Sequence, residues 1–156
     1  IGRTFIAPGQ NVREDKVRIK LNPVINTVKG KRIVLVDDSI VRGTTCARIV
    51  KLLRDAGAKE IHLRSSAPKF LNPCYYGTDI DSKDVLVACN HTTEEMEKIF
   101  GVDSLGFLNL EDVCKLGEGG GCKGYCMACF DGNYPTEAPT KYENKFDSKI
   151  SEREEN

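Results

Sequence analysis

The sequence predicts an α/β fold built around a parallel sheet, and three observations carry that expectation. Short apolar runs rich in β-branched residues alternate with segments whose apolar positions recur at helical spacing. Glycines follow two of the helical segments, at Gly57 and Gly101, where a chain leaving a helix favours a left-handed residue. A loop of Asp, Ser, Gly and Thr joins the first run to the first helical segment. That order of strand, loop, helix and strand is the unit that builds parallel sheets.

Arg32–Val36, between Gly30 and Asp37, reads as a buried strand. Thr44–Ala56 follows as a helix, with Cys46, Ile49, Val50 and Leu53 on one stripe, Leu52 and Ala56 beside it, and Gly57 as its stop. Glu60–Ser65 reads as the second strand. Val85–Ala88 is an unbroken apolar run and reads as another buried strand. Thr92 and Glu95 match a capping box, which predicts a helix over Thr93–Phe100 ended by Gly101. Ser104–Leu108 is a further short strand, and Asn109 is placed to cap a helix through about Leu116.

Composition changes at Gly117. The glycines from Gly117 to Gly121 exclude a regular element, and a cluster of cysteines follows. From Lys141 onward the chain is highly charged with few apolar residues, and disorder is expected there. The predicted organisation is therefore a folded domain over 1–116, a cysteine-rich segment over 117–140 and a charged tail over 141–156.

The chain has 23 basic and 23 acidic residues, so no basic excess points to nucleic acid. No apolar run approaches the ~20 residues that cross a bilayer, and the first residues lack the pattern of a signal peptide. A soluble, cytoplasmic protein is expected. The chain starts at Ile1 rather than Met, on an apolar stretch with nothing before it to pack against, so a fragment of a longer protein is expected. It holds 7 cysteines, an odd number, and Cys122, Cys126 and Cys129 crowd together. That spacing in a cytosolic chain points to a metal or iron–sulfur site rather than disulfides. Cys46, Cys89 and Cys114 read as small buried apolar residues, and His62 as structural. His91, at the end of the expected Val85–Ala88 strand, is a weaker candidate to face a ligand.

The most informative segment runs from Val34 to Thr45. A strand delivers Asp37 and Asp38 to its C-terminal end, where open α/β sheets bind ligands. The loop then opens a helix whose first amides and dipole favour a phosphate. Gly43 permits close backbone approach, and the Thr44 and Thr45 hydroxyls add donors. Acids beside a phosphate site would repel a polyphosphate unless they accept from sugar hydroxyls or bind Mg²⁺. A ribose flanked by phosphates satisfies both conditions. The Gly-Lys-Ser/Thr ending of a P-loop is missing.

Val34–Thr45 resembles the phosphoribosyl pyrophosphate (PRPP) signature of type I phosphoribosyltransferases: strand, two acids, short loop, Gly, Thr, Thr. The resemblance implies that Asp37 and Asp38 hold the ribose and Mg²⁺. It also implies that Ser39, Ile40, Val41, Arg42, Gly43, Thr44 and Thr45 cradle the 5′-phosphate, mostly through backbone amides. The flanks narrow the likeness. Gly2–Ile6, Val17–Asn22, Pro73–Gly77, Cys126–Phe130 and Gly132–Thr136 are similar to segments of the iron–sulfur branch of glutamine PRPP amidotransferases. The likeness covers about Ile1 to Thr136.

That family opens purine biosynthesis, displacing pyrophosphate from PRPP by ammonia to give 5-phosphoribosylamine. The ammonia comes from glutamine in an N-terminal glutaminase domain. The likeness implies such a domain as partner, inhibition by purine nucleotides and a homo-oligomer. It also implies that this chain alone is inactive with glutamine. Arg13 to Gly30 resembles the mobile loop that folds over PRPP. Its cations Arg13, Lys16, Arg18 and Lys20 suit a pyrophosphate leaving group, with Arg18 and Lys20 as the expected catalytic pair. By the same resemblance Cys74, Cys126 and Cys129 hold a [4Fe–4S] cluster whose fourth ligand lies upstream. Cys122 is an alternative fourth thiolate, and zinc is an alternative metal. Another type I phosphoribosyltransferase and a non-catalytic PRPP-sensing regulator remain the alternative functions.

Overall fold

The computed structural model describes residues 25–78, 80, 82–117 and 124–137. The expected tail over 141–156 lies outside them. Helix α1 (Ile25–Val28) precedes strand β1 (Arg32–Asp37), helix α2 (Thr44–Asp55) and strand β2 (Glu60–Ser65). A 3₁₀ turn (Lys83–Val85), helix α3 (Val87–Asn90) and helix α4 (Thr93–Phe100) come next. They are followed by strand β3 (Ser104–Phe107), helix α5 (Leu110–Gly117) and helix α6 (Ala128–Asp131).

The strands form one parallel sheet in the order β1-β2-β3, with Ile33 opposite Ile61 and Leu63 opposite Leu105. Strand residues alternate between faces, so this register puts Leu35, Ile61, Leu63 and Leu105 on one side. They meet Cys46 and Val50 of α2, Met96 and Phe100 of α4, and Val102 in the main core. On the other face Val34 and Val36 stay 65% and 67% exposed. A polar chain continues that face, with Arg32 Nε donating to Glu60 Oε2 at 2.6 Å and His62 Nδ1 2.8 Å from Ser104 Oγ.

Expected and observed elements agree where the end signals are strong. The Thr92 hydroxyl accepts the Glu95 N–H at 3.2 Å, and Glu95 Oε2 accepts the Thr92 N–H at 2.8 Å. Gly57 and Gly101 adopt φ of 89° and 73°. Removing the cap leaves first-turn donors of α4 unsatisfied. Thr92→Ala is therefore expected to cost about 1 kcal/mol, read as a fall of about 2–4 °C in melting temperature.

Two expectations are corrected. Val85–Ala88 is not a strand: it is the end of a 3₁₀ turn followed by the start of α3. Its two central residues are buried as expected, but toward two different clusters, Leu86 in one and Val87 in the other. A strand here would need a ladder partner, whereas the Val87 N–H donates to Val41 O at 2.9 Å in the loop after β1. Periodicity cannot separate a short buried helix from a strand. Cys89 and Cys114 are exposed rather than buried. Of the Arg13–Gly30 segment only its end is described: it is helical over Ile25–Val28, with Val28 buried and the Gly30 N–H donating to Gly57 O at 2.7 Å. Arg13, Lys16, Arg18 and Lys20 lie outside the described residues.

Candidate functional site

Strand β1 ends at Asp37, and the loop from Asp38 to Gly43 runs across the C-terminal edge of the sheet into α2. Two side chains anchor that loop. Ile40, 1% exposed, enters the main core. Val41 packs on the second cluster of Phe70, Ile80 and Leu86. With these apolar residues turned inward, Asp38, Arg42 and Thr44 are exposed. The sequence Ile40-Val41 inside an otherwise polar loop is therefore an anchor, and its part in any phosphate site is through the backbone.

Gly43 is the N-cap of α2 at φ 76°, and it supplies no side-chain cap. The first amides of a helix have no intrahelical acceptor, so these remain directed outward with the positive end of the dipole behind them. The Ala47 N–H donates to Gly43 O at 3.0 Å, which starts the helix immediately. A Cβ on Gly43 would lie 2.3 Å from Phe100 Cε1. Phe100 is 3% exposed and packed from all sides, so close packing against α4 as well as the left-handed angle requires glycine.

The two acids differ. Asp37 Oδ1 accepts the Asp38 N–H at 3.0 Å, and Oδ2 accepts from the Cys46 thiol at 3.0 Å. Asp38 is exposed, with the Ser39 hydroxyl 3.5 Å from its Oδ1. Burial first, and then the contact with Asp37, push the Cys46 thiol far up, so it stays protonated and donates. Ser66 steadies the strand end: its N–H donates to Asp37 O at 2.8 Å, and its hydroxyl lies 3.3 Å from the carbonyls of Asp37 and Asp38. An oxygen-rich pair with one exposed carboxylate suits a hard cation such as Mg²⁺. Sequence reasoning missed the polar role of Cys46, whose helical position signals only burial. It also missed Ser66, for which β2 carries no signal beyond its end.

The cysteine-rich segment is tied to the domain by packing. The Phe70 and Phe130 ring centroids are 4.9 Å apart, as are those of Tyr75 and Tyr134. The N–H groups of Leu71 and Asn72 both donate to Cys129 O at 3.0 Å, and the Tyr134 hydroxyl donates to Pro73 O at 2.8 Å. Burial and the neighbouring Tyr75 push the Tyr134 hydroxyl up to about 12.

Cys74 and Cys129 thus pack on the same second cluster. Burial opposes the Cys74 thiolate, yet the N–H groups of Tyr76, Thr78 and Gly77 pull the thiol below its ordinary range, with Thr78 N at 3.4 Å from Sγ. Burial, then the charges of Cys74 and Cys126, push Cys129 up. Cys129 therefore feels both other sulfurs, and thiolates are the donors that zinc and iron–sulfur centres take. Among the described residues, however, no group of three or more His, Cys, Asp and Glu is placed so that it could hold a metal ion. Cys122 lies outside the described residues. His91 is exposed, with Nδ1 3.8 Å from Glu95 Oε2, and His62 bridges strands as a structural residue. Among the described residues no helix is long and apolar enough to cross a membrane.

Residues 7–105 match the family described as the phosphoribosyl transferase domain. An amidophosphoribosyltransferase of Archaeoglobus fulgidus is 51% identical over 140 residues, 89% of this chain and 31% of that protein. One from Methanocaldococcus jannaschii is 57% identical over 137 residues, 88% of this chain and 28% of that protein. A solved structure of glutamine PRPP amidotransferase from Bacillus subtilis, complexed with ADP and GMP, superposes with a TM-score of 0.72 at 47% identity. That match covers 90% of this chain and 32% of the other. The chain spans about a third of the length of the curated relatives it matches.

Proposed function

The chain belongs to the phosphoribosyl transferase domain family, and from that premise we propose that it supplies the PRPP site of an amidophosphoribosyltransferase. The reaction forms a bond from ammonia nitrogen to ribose C1 and breaks the bond from C1 to pyrophosphate. The electron pair leaves with pyrophosphate, and the nitrogen sheds a proton to give 5-phosphoribosylamine. This would open purine biosynthesis, with the ammonia coming from glutamine in a glutaminase domain of the whole protein. The observation that carries the reading is the end of β1: an acid pair, one carboxylate exposed, beside an uncapped helix N-terminus closed by Gly43.

In this reading the first amides of α2 and the loop from Ser39 to Thr45 hold the 5′-phosphate. Asp37 and Asp38 accept from the ribose hydroxyls, and they are the residues that would hold Mg²⁺. The ion supplies charge neutralisation of the pyrophosphate when bound. Arg18 and Lys20 would close over the leaving group and exclude water. Cys74, Cys126 and Cys129 would hold a [4Fe–4S] cluster with a fourth ligand from upstream, its part being to fasten the 117–140 segment to the 1–116 domain. Purine nucleotides as inhibitors, a homo-oligomer and a cytoplasmic location complete the proposal. The B. subtilis relative's complex with ADP and GMP supports the first of these.

The test is the whole protein with PRPP, Mg²⁺ and either glutamine or ammonium. Release of pyrophosphate coupled to formation of phosphoribosylamine is expected with both nitrogen sources. Anaerobic protein should be brown and carry about four irons per chain. Pyrophosphate release that requires a nucleobase in place of ammonia would replace this reading with another phosphoribosyltransferase. Zinc in place of iron would overturn the cluster alone.

A further inference from the structure

The contacts around Asp37 and Asp38 divide the pair into a fixed member and a free one. Both oxygens of Asp37 accept from protein donors, the Asp38 N–H and the Cys46 thiol, each at 3.0 Å. Asp38 projects into solvent beside the Ser39 hydroxyl. Cys46 lies in the first turn of α2, the helix whose N-terminus the proposed phosphate would meet. Its side chain is 2% exposed and sits in the main core with Val50, Ile61 and Phe100. A sulfur held that way cannot follow another partner without disturbing close-packed neighbours. A buried cysteine on a helix face ordinarily serves only as a small apolar residue. Here it also reaches a carboxylate nine residues back in the chain.

We propose that Cys46 is a positioning residue of the PRPP site: its thiol holds the Asp37 carboxylate in the orientation that meets the ribose. Asp38 stays free to turn toward ligand. The inference rests on the reading of the site given above and adds a division of labour to it. Because one helix carries both the phosphate-facing amides and the thiol, 5′-phosphate and ribose contacts are set by a single rigid body.

The test compares Cys46→Ser, which keeps a donor, with Cys46→Ala and Cys46→Val, which do not, in the whole protein. Pyrophosphate release is followed with ammonium as the nitrogen source, alongside the melting temperature of each variant. The donor-less variants should raise KM for PRPP roughly tenfold, the scale of a lost hydrogen bond to a charged group. Their kcat should change less, and Cys46→Ser should return KM to within about twofold of wild type. A role in packing alone would instead make KM follow melting temperature, with Cys46→Val the better substitute; that outcome overturns the proposal. If Cys46→Ala does not fold, the comparison of Ser with Val decides. Wild-type protein that releases no pyrophosphate would refute the function itself. Wild-type turnover with an unaltered KM in Cys46→Val would refute only the role of Cys46.

Discussion

Gly43→Ala is expected to lower stability by about 2–4 kcal/mol and to remove PRPP binding. Two costs add at this position. An alanine at φ 76° occupies the left-handed region, at about 1–2 kcal/mol. Its Cβ would also stand 2.3 and 2.6 Å from two atoms of the buried Phe100 ring, so α4 or the loop must give way. The ring cannot swing out, because Phe100 packs in the same core as Ile40 and Val50. Thermal unfolding should show a loss of roughly 5–15 °C for a chain of this size. Phe100→Leu combined with Gly43→Ala should recover part of the stability and little of the binding, since the backbone angle stays wrong. A Gly43→Ala protein with unaltered melting temperature and PRPP affinity would contradict the close approach of loop and helix.

The aspartates should separate in a second experiment. Asp38→Asn is expected to cost about a hundredfold or more in kcat/KM for PRPP, about 2.7 kcal/mol of transition-state stabilisation. Its melting temperature should hardly change, because that side chain is exposed. Asp37→Asn should lose turnover as well, but here stability falls too. An amide replaces one carboxylate oxygen by NH2, so either the Cys46 thiol or the Asp38 N–H faces a donor, leaving a polar group unsatisfied at about 1–3 kcal/mol. Kinetics and melting curves of the two single variants check this directly. Unaltered turnover in the double Asn variant would end the reading of the loop as a PRPP site.

Much of this arrangement was legible in the residues alone. The helix over Thr93–Phe100 followed from Thr92, Glu95 and Gly101, because capping is local chemistry between residues a turn apart. The strand, loop and helix around Asp37 were legible for the same reason: β-branched residues, a left-handed glycine and helical spacing act over short distances. Val85–Ala88 failed that test. Its burial was readable, but whether it joined the sheet depended on Val41 offering a carbonyl from a loop far upstream in the chain. The spacing of Cys126 and Cys129 named a pair, while the approach of Cys74 needed the aromatic contacts that fold the segment back.

What the sequence by itself determined is the unit that makes the site: a strand ending in two acids, a loop holding Ser39 and Gly43, and a helix starting at Thr44. These are set by propensity, alternation and end signals, which the chain carries in neighbouring residues. Only the tertiary structure decided how the acids differ, which ring forbids a side chain at Gly43, and that the thiol of Cys46 points at Asp37. Those outcomes depend on residues brought together from separate elements, and packing in three dimensions selects among contacts that a linear pattern leaves equivalent.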